Sequence, residues 1–364
     1  MTSETEILSR LVGFDTSTGR TNIELIYWVR DLLKDAGFDV TLVPSSCGRK
    51  AGLLARRGAG PGGVLLSAHS DVVPVAGQDW DADPFTLRKV GERLVGRGST
   101  DMKGFLACVL AKATRLGPDA RPMSLALSWD EEIGCQGIPQ MIDRVIPELG
   151  RPDLVIVGEP TEMRLCVGHK GKAAYRATCR GTPGHSAMAP RFTNALHLGA
   201  DLIMALRRVQ ARLETSGARE PGDPIPYSTL HAGRMSGGVA LNMMPETATV
   251  DFEIRHLSAE RTDDILAEVT AGLPERITIE TMASYPGLAA DPADPAIAAL
   301  ADLLEDPEPM RVSYGTEAGF FAGLGLPTVV CGPGSMSDGH QPNESIAIKE
   351  LQRCSNLLDD LIGG

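Results

Sequence analysis

Histidine and carboxylate residues follow short aliphatic segments at several points of this 364-residue sequence. The first such segment, residues 64–68, is followed by His69 and, two residues further on, by Asp71. Side chains two residues apart on an extended chain share a face, so Asp71 could orient the imidazole of His69. Imidazole and carboxylate groups suit Zn, Co, Mn or Fe ions better than Cu(I) or an iron–sulfur cluster. The pattern predicts a metal centre, and four further places contribute candidates of the same kind: Asp101, Glu131 with Glu132, Glu159 and His340.

Two histidines and three or four carboxylates supply enough ligands for two metal ions if one carboxylate bridges them. Such paired ions lie roughly 3.5–4 Å apart and activate water for hydrolysis. Each residue alone has an ordinary alternative. A lone buried histidine is usually a hydrogen-bonded core residue, Asp101 could cap the helix that follows it, and Glu131 with Glu132 could form an exposed turn. Each ordinary role can explain one segment, but such roles explain poorly why five segments carry residues of this kind.

Other catalytic motifs are missing from the sequence. Residues 58–63 match the pattern GxGxxG, but they connect two strand-like segments and open no helix. We therefore expect a hairpin turn there rather than a dinucleotide-binding loop. The sequence contains neither a Walker A motif nor a GxSxG nucleophile motif. Cys108 and Cys135 lie near acidic segments, but no adjacent histidine supports a thiol nucleophile.

The composition excludes several classes of protein. A formal net charge of −12 and an aromatic content of 4% argue against nucleic-acid or anionic-membrane binding. Seven scattered cysteines without a CxxC pair are typical of a reduced, cytoplasmic chain. Residues 1–14 lack the features of a signal peptide. The uncharged residues 318–337 include five glycines and two prolines, which predicts buried strand and loop rather than a membrane span.

The first 170 residues alternate helical and strand-like patterns, which is typical of an α/β layer structure with a mostly parallel sheet. Ligands of such sheets bind at the carboxyl ends of the strands, which is where the metal-ligand candidates fall. The sequence predicts helices at residues 22–36 and 102–116 and strands at residues 64–68, 124–129 and 154–157.

The middle of the chain changes character. Residues 173–179 and 248–254 alternate like half-exposed antiparallel strands, a long helical pattern covers residues 194–213, and residues 216–226 form a polar loop rich in Pro and Gly. The α/β pattern then returns, with helices at residues 296–304 and 348–362 and a strand at residues 328–331. We predict a discontinuous catalytic domain, residues 1–172 and 285–364, interrupted by an α+β domain, residues 173–284.

The candidate residues lie within motifs that resemble those of the M20 metallopeptidase and deacylase family. The match covers nearly the whole chain and runs in the family's order: SAHSDVVP (residues 67–74), GRGSTDMKG (96–104), DEEIG (130–134), GEPT (158–161) and GHSA (184–187). The resemblance implies a three-layer zinc-peptidase-like catalytic domain with an inserted lid and dimerisation domain.

The resemblance also implies two zinc ions per chain, for which cobalt could substitute. His69 and Glu159 would hold one ion, Glu132 and His340 would hold the other, and Asp101 would bridge both. The peptide bond after Asp101 is cis in family members. The expected substrate is a small N-acyl amino acid, cleaved by a metal-activated water.

Further residues take roles by the same resemblance. Glu131 would be the general base, and Asp71 would support the first histidine ligand. His185, on the inserted domain, would reach the active site of the partner subunit in a homodimer and stabilise the oxyanion. Asn242 and Arg255 match positions that contact substrate, and Arg255 is the candidate cation for a substrate carboxylate.

Within the family, residues 314–318 (YGTEA), 332–335 (GPGS) and 339–344 (GHQPNE) resemble the acetylornithine deacetylase branch more than the succinyl-diaminopimelate desuccinylase branch. An ornithine side chain requires an acid, for which Glu317 is the candidate, although Glu317 could equally be a helix N-terminal carboxylate. The resemblance implies deacetylation of N2-acetyl-L-ornithine in arginine biosynthesis. A desuccinylase, another N-acyl-amino-acid deacylase or, more distantly, a non-catalytic metal-binding relative are the alternatives.

Overall fold

The computed structural model describes residues 3–363, which divide by their internal contacts into two compact units. The large unit contains the chain up to Gly168, then Leu288–Arg311, and the chain from Thr316 onward. The inserted unit contains His169–Gly287 and Val312–Gly315.

The elements are numbered in chain order. The helices are α1 (Glu4–Val12), α2 (Ile23–Asp35), α3 (Lys103–Arg115), α4 (Ile142–Leu149), α5 (Ala195–Ser216), α6 (Thr262–Thr270), α7 (Pro295–Ala301), α8 (Ala318–Gly323) and α9 (Ile348–Ile362). The strands are β1 (Asp39–Pro44), β2 (Ala51–Arg57), β3 (Val64–His69), β4 (Arg88–Val90), β5 (Arg93–Val95), β6 (Met123–Ser128), β7 (Leu154–Val157), β8 (Cys166–His169), β9 (Gly171–Arg180), β10 (Thr229–Gly237), β11 (Thr247–His256), β12 (Ile277–Tyr285), β13 (Leu288–Ala289), β14 (Met310–Val312), β15 (Thr328–Val330) and β16 (Ser345–Ala347).

A mixed sheet forms the centre of the large unit, in the order β1-β2-β6-β3-β7-β15-β8-β13, with β14 paired to β8. The four strands β6, β3, β7 and β15 are parallel to one another, and every residue in them is buried. The flanking pairs β1/β2, β2/β6 and β15/β8 are antiparallel. The strands predicted for a mostly parallel sheet therefore form its parallel centre, where both faces are covered, while the flanking pairs are antiparallel.

Helices cover both faces of this sheet. Helices α1, α2 and α9 contact α3, which packs on β3, and their apolar residues join one continuous core. On β2, Leu53 belongs to this core, whereas Gly52 lies against Met141, just before α4. Because successive strand residues face opposite sides, α4 covers the other face. This three-layer arrangement is the predicted α/β class.

The glycine-rich segment at residues 58–63 is not a hairpin turn, which corrects the expectation from the sequence. Strands β2 and β3 do not pair, because β6 lies between them. The segment instead passes over the start of β6, where Gly58 and Gly63 adopt positive φ and lie directly against Pro122. A side chain at either glycine would meet Pro122, so the glycines serve a close backbone crossing.

The inserted unit contains an antiparallel sheet in the order β10-β11-β9-β12, covered on one face by α5 and α6. Tyr175 of β9 stacks on Phe252 of β11 within its core. Helix α5 begins after Asn194, whose side chain accepts hydrogen bonds from two backbone N–H groups of the first turn. Within residues 3–363, none of the helices combines the length and apolar character that crossing a bilayer requires.

Candidate metal centre

His69 and Glu159 lie at the carboxyl ends of neighbouring parallel strands. His69 is the last residue of β3, and Glu159 follows β7 by two residues. The His69 Nε2 atom is 3.6 Å from Glu159 Oε1 and 3.2 Å from Asp101 Oδ1. The parallel register of β3 and β7 therefore brings His69 close to Glu159.

Asp101 stands between two imidazoles. Its Oδ1 atom faces His69, whereas its Oδ2 atom is 3.1 Å from His340 Nε2. His340 Nε2 also lies 3.0 Å from Glu132 Oε2. The Asp101 side chain makes no cap for α3, which begins at Lys103 after Met102 and has no side-chain N-cap, so the capping alternative is not observed. The peptide bond between Asp101 and Met102 is cis.

Glu131 faces the same cluster of potential ligands. One oxygen or nitrogen atom from each of His69, Glu131 and Glu159 lies within 4.8 Å of the others, and the same holds for His69, Asp101 and Glu132. Glu131 Oε1 also accepts a hydrogen bond from Cys135 Sγ at 3.3 Å.

The Asp71 carboxylate supports two parts of the centre at once. It accepts hydrogen bonds from the backbone N–H groups of Glu131 and Glu132, at 3.2 and 3.1 Å. Its Oδ1 atom is 3.5 Å from His69 Nδ1, whereas the nearer partner of that nitrogen is the Asp71 backbone carbonyl, at 2.9 Å. The shared face of His69 and Asp71 is therefore present, but a main-chain oxygen makes the shorter contact.

Burial and mutual repulsion dominate the electrostatics of the cluster. Burial, together with the charge of Asp101, raises the pKa of Glu132 to about 7 and raises the pKa of Glu159 well above its usual range. Burial also opposes ionisation of Asp101, but hydrogen bonds with His340 and His69 outweigh it and lower the Asp101 pKa. Hydrogen bonds with Asp101 and Glu132 raise the pKa of His340 to about 10.

This set of donors fits divalent metal ions. Imidazole and carboxylate ligands are borderline to hard, and several buried carboxylates at one place are costly without positive charge. Two divalent cations would compensate that charge and take the places of the protons that the raised pKa values imply.

Comparison with known proteins identifies the family. Residues 65–363 match the model for peptidase family M20/M25/M40. The chain belongs to this family. Among curated relatives, acetylornithine deacetylases from Proteus mirabilis and Aliivibrio fischeri (strain MJ11) are 33% and 32% identical, covering 96% and 97% of this chain and 91% and 94% of theirs. The resemblance stated from the motifs is thereby confirmed, and the chain is an M20 metal-dependent hydrolase.

Two solved peptidase structures share the fold. A metallo-carboxypeptidase from Sulfolobus solfataricus aligns with a TM-score of 0.78 at 18% identity, over 99% of this chain and 98% of that one. The aminopeptidase PepT from Bacillus cereus aligns with a TM-score of 0.76 at 19% identity, over 99% and 97% of the two chains.

Three residues that the M20 resemblance singles out lie in the inserted unit. His185 is exposed at the start of a short 3₁₀ turn, where its Nδ1 atom accepts the N–H of Ala187. Asn242 is also exposed and lies on the segment beside it, because its carbonyl accepts the N–H of Ser186. Arg255 lies on β11, where its register partners are Thr229 of β10 and Lys172 of β9.

Arg255 is held by two partners and lines a cavity of about 180 Å³. Its Nε atom is 3.1 Å from Glu253 Oε1, and its Nη1 atom is 3.0 Å from the Tyr285 hydroxyl. The cavity is also lined by Lys170, Asp223, Pro224, Ile225, Thr229, Val312 and Ser313. The cationic side chains of Arg255 and Lys170 thus share this cavity with the carboxylate of Asp223.

Glu317 lies in the large unit, immediately before α8, and is 1% exposed. Its Oε1 atom accepts a hydrogen bond of 2.6 Å from Ser128 Oγ at the end of β6. Burial raises the Glu317 pKa to about 7 despite that hydrogen bond. Its side chain makes no capping hydrogen bond to α8.

Several residues that contact the candidate site residues were not predicted from the sequence. Lys50 pairs with Asp130, which adopts positive φ before Glu131, and Ser128 holds Glu317. Arg97 and Glu344 form a buried ion pair at 2.7 Å beside Asp101. Arg97 and Glu344 each belong to a motif noted in the sequence. Their pairing could not be predicted from it, because the two residues are 247 positions apart and only the fold brings them together.

Proposed function

We propose that this M20 enzyme hydrolyses the amide bond of N2-acetyl-L-ornithine to give L-ornithine and acetate. The observation that carries the proposal is the position of Asp101, with one carboxylate oxygen toward each of two imidazoles. The names of curated relatives at 31–33% identity support the choice of substrate. We further propose a cytoplasmic enzyme of arginine biosynthesis.

The proposed metals are two zinc ions per chain, with cobalt as a substitute. His69 and Glu159 would hold one ion, Glu132 and His340 would hold the other, and Asp101 would be shared. When bound, the ions would polarise the amide carbonyl and lower the pKa of a water nucleophile toward about 7.

Glu131 is proposed to move the proton in this reaction. Its carboxylate lies among the metal-ligand candidates, while its neighbour Glu132 contacts His340. Glu131 takes a proton from the attacking water and then delivers it to the nitrogen of the departing amine, as general base and general acid in turn. Asp71 keeps both glutamates in place through their backbone N–H groups.

Three residues are proposed to recognise the substrate. Arg255, held by Glu253 and Tyr285, is proposed to pair with the substrate carboxylate, and Asn242 is proposed as a polar contact. Glu317 is proposed to favour the ornithine ammonium group. The inserted unit is proposed to form a homodimer, with His185 stabilising the oxyanion in the partner subunit's active site.

The deciding experiment compares kcat/KM of the zinc- or cobalt-loaded enzyme on three substrates: N2-acetyl-L-ornithine, N-succinyl-diaminopimelate and N-acetyl-methionine. We expect a preference of about a hundredfold for acetylornithine, close to 3 kcal/mol of transition-state discrimination. Glu317→Ala should reduce activity on acetylornithine far more than on acetylmethionine. A flat or reversed preference would place the enzyme in another deacylase branch, and no activity on any acylated amino acid would indicate a non-catalytic relative.

A further inference from the structure

The carboxylate of Glu344 lies beneath the backbone turn that carries Asp101, and it is 2% exposed. Its Oε1 atom accepts the N–H groups of Thr100 and Asp101, both at 3.0 Å. Its Oε2 atom accepts the N–H of Gly98 at 2.9 Å. Three backbone donors on one carboxylate fix the path of this turn, including the residue whose side chain faces both imidazoles.

Arg97 completes the surroundings of Glu344. Its Nη1 atom donates to Glu344 Oε2 at 2.7 Å, and its side chain is wholly buried. Its Nη2 atom donates to Gln78 Oε1, and the guanidinium lies 5.0 Å from the centre of the Trp80 ring. A buried charge of each sign is thus paired, and both terminal guanidinium nitrogens donate hydrogen bonds, whereas the buried Nε atom of Arg97 has no partner among the described residues.

Gln78 extends these contacts to the second histidine. Its Nε2 atom donates to the backbone carbonyl of His340 at 2.8 Å. His340 adopts positive φ and is otherwise in a half-exposed loop, so this hydrogen bond restrains a residue whose backbone is sparsely favoured. One chain of contacts, which we call the Glu344 network (Glu344, Arg97 and Gln78), therefore joins the backbone of Asp101 to the backbone of His340.

We infer that the Glu344 network positions the metal ligands and that Glu344 does so for both metal sites, whereas Gln78 does so for the His340 site alone. The inference rests on the proposed function, because it presumes two bound ions. Glu344 orients Asp101, which faces both sites, so its loss would weaken both. Gln78 contacts Arg97, but His340 is the one candidate metal ligand to which it donates a hydrogen bond among the described residues. Residues of this kind typically change metal affinity by about 10–100-fold when they are replaced.

The matched substitution at the centre of the network is Glu344→Gln. The amide keeps the size of the side chain, but its nitrogen replaces one acceptor oxygen and faces backbone N–H groups or Arg97 instead. Gln78→Met keeps the length of that half-buried side chain and removes its hydrogen bonds. Leu358→Ala, in a buried position on α9, is the control for stability because it leaves a cavity without touching the network.

The test measures the two stepwise dissociation constants for Zn²⁺ by competition with a chromogenic chelator, on full-length metal-depleted protein. The Co²⁺ absorption spectrum reports the ligand geometry, and thermal melting of the metal-free proteins reports stability. We expect Glu344→Gln to weaken both steps at least about tenfold, Gln78→Met to weaken one step, and Leu358→Ala to lower the melting temperature with both constants unchanged.

Several outcomes would overturn the inference. Constants within threefold of wild type for Glu344→Gln would reduce the network to a stabilising ion pair, and loss of one step alone would contradict its action on both sites. If Glu344→Gln does not fold, Gln78→Met decides, and unchanged constants there refute the inference. If the wild-type enzyme binds two ions and deacylates its substrate, but the variants bind the ions as tightly as wild type, the inference is refuted and the proposed function stands. A wild-type chain that binds fewer than two ions would refute the proposed function and the inference with it.

Discussion

Asp101 and Glu131 show how single carboxylates at one cluster acquire different electrostatic surroundings. Asp101 is flanked by two imidazoles, which lower its pKa and keep it ionised. Glu131 contacts no imidazole as closely, and burial raises its pKa. The adjacent Glu132 is 3.0 Å from His340 Nε2. Carboxylates at one place thus differ in pKa because different positive groups surround them.

At this scale, Glu131→Gln tests the proton-transfer role. We expect the variant to retain two metals per chain but to lose about 10²–10⁴-fold in kcat, because the amide cannot accept the proton. Metal content is measured by elemental analysis beside steady-state rates. Glu148→Gln, a surface change on α4, should be neutral. Activity close to wild type in a fully metallated Glu131→Gln protein would exclude the role.

Glu317 should make the metal-free protein sensitive to pH. Burial raises the pKa of Glu317 to about 7 in the folded state, above its usual value of 4.5, so the folded state prefers the protonated form. The contribution of Glu317 to the free energy of unfolding is complete below pH 4.5. It falls as the pH rises through 7, by up to about 3 kcal/mol. Urea unfolding at pH 5 and pH 8 should show that Glu317→Gln gains stability over wild type at the higher pH. The same difference in unfolding free energy between the variant and wild type at pH 5 and at pH 8 would contradict the raised pKa of Glu317.

At the scale of elements, strand ends and glycines bring the centre together. Gly158 lies between β7 and Glu159, and the ring of Phe105 on α3 occupies the space that a side chain there would need. The close approach of helix to strand requires glycine, and it fixes the backbone from which Glu159 reaches His69.

Gly158→Ala should therefore destabilise the protein by about 1–3 kcal/mol through overpacking. Because the methyl group also pushes the following backbone, we expect weaker metal binding as well. The matched control is Gly323→Ala at the end of α8, where an added methyl group meets nothing within 4 Å. Urea unfolding of both variants provides the measurement. Equal stability of the Gly158→Ala and Gly323→Ala variants would show that Phe105 on α3 moves aside at little energetic cost.

At the scale of the whole molecule, the proposed residues are divided between two units. The candidate metal ligands and Glu131 belong to the large unit, whereas His185, Asn242 and Arg255 belong to the inserted unit. A homodimer that exchanges His185 between subunits would make each active site depend on two chains.

This arrangement predicts complementation between inactive variants. In a mixture of His185→Ala and Glu131→Gln chains, refolded or exchanged together, half of the dimers are mixed and each mixed dimer holds one intact site. We expect recovery of about a quarter of wild-type activity. The measurement is the deacylation rate of the mixture against each variant alone. Activity that stays at the sum of the two variants would show that His185 does not act across subunits.

The sequence by itself determined the family, the α/β class and the candidate ligands. Ligand-type residues must follow the strands that present them, and those strands are short, fully apolar runs with clear ends, such as residues 64–68 and 154–157. The helical pattern at residues 194–213 likewise predicted α5, because helical periodicity is a local property of the sequence.

Tertiary structure alone decided the strand order and the supporting contacts. Nothing local indicates that β6 separates β2 from β3, so residues 58–63 were wrongly expected to form a hairpin turn. The partners Arg97 and Glu344 are 247 positions apart, and Ser128 and Glu317 are 189 apart. Such pairs form because burial requires each charge or hydroxyl to find a partner, and only the folded chain determines which partner is within reach.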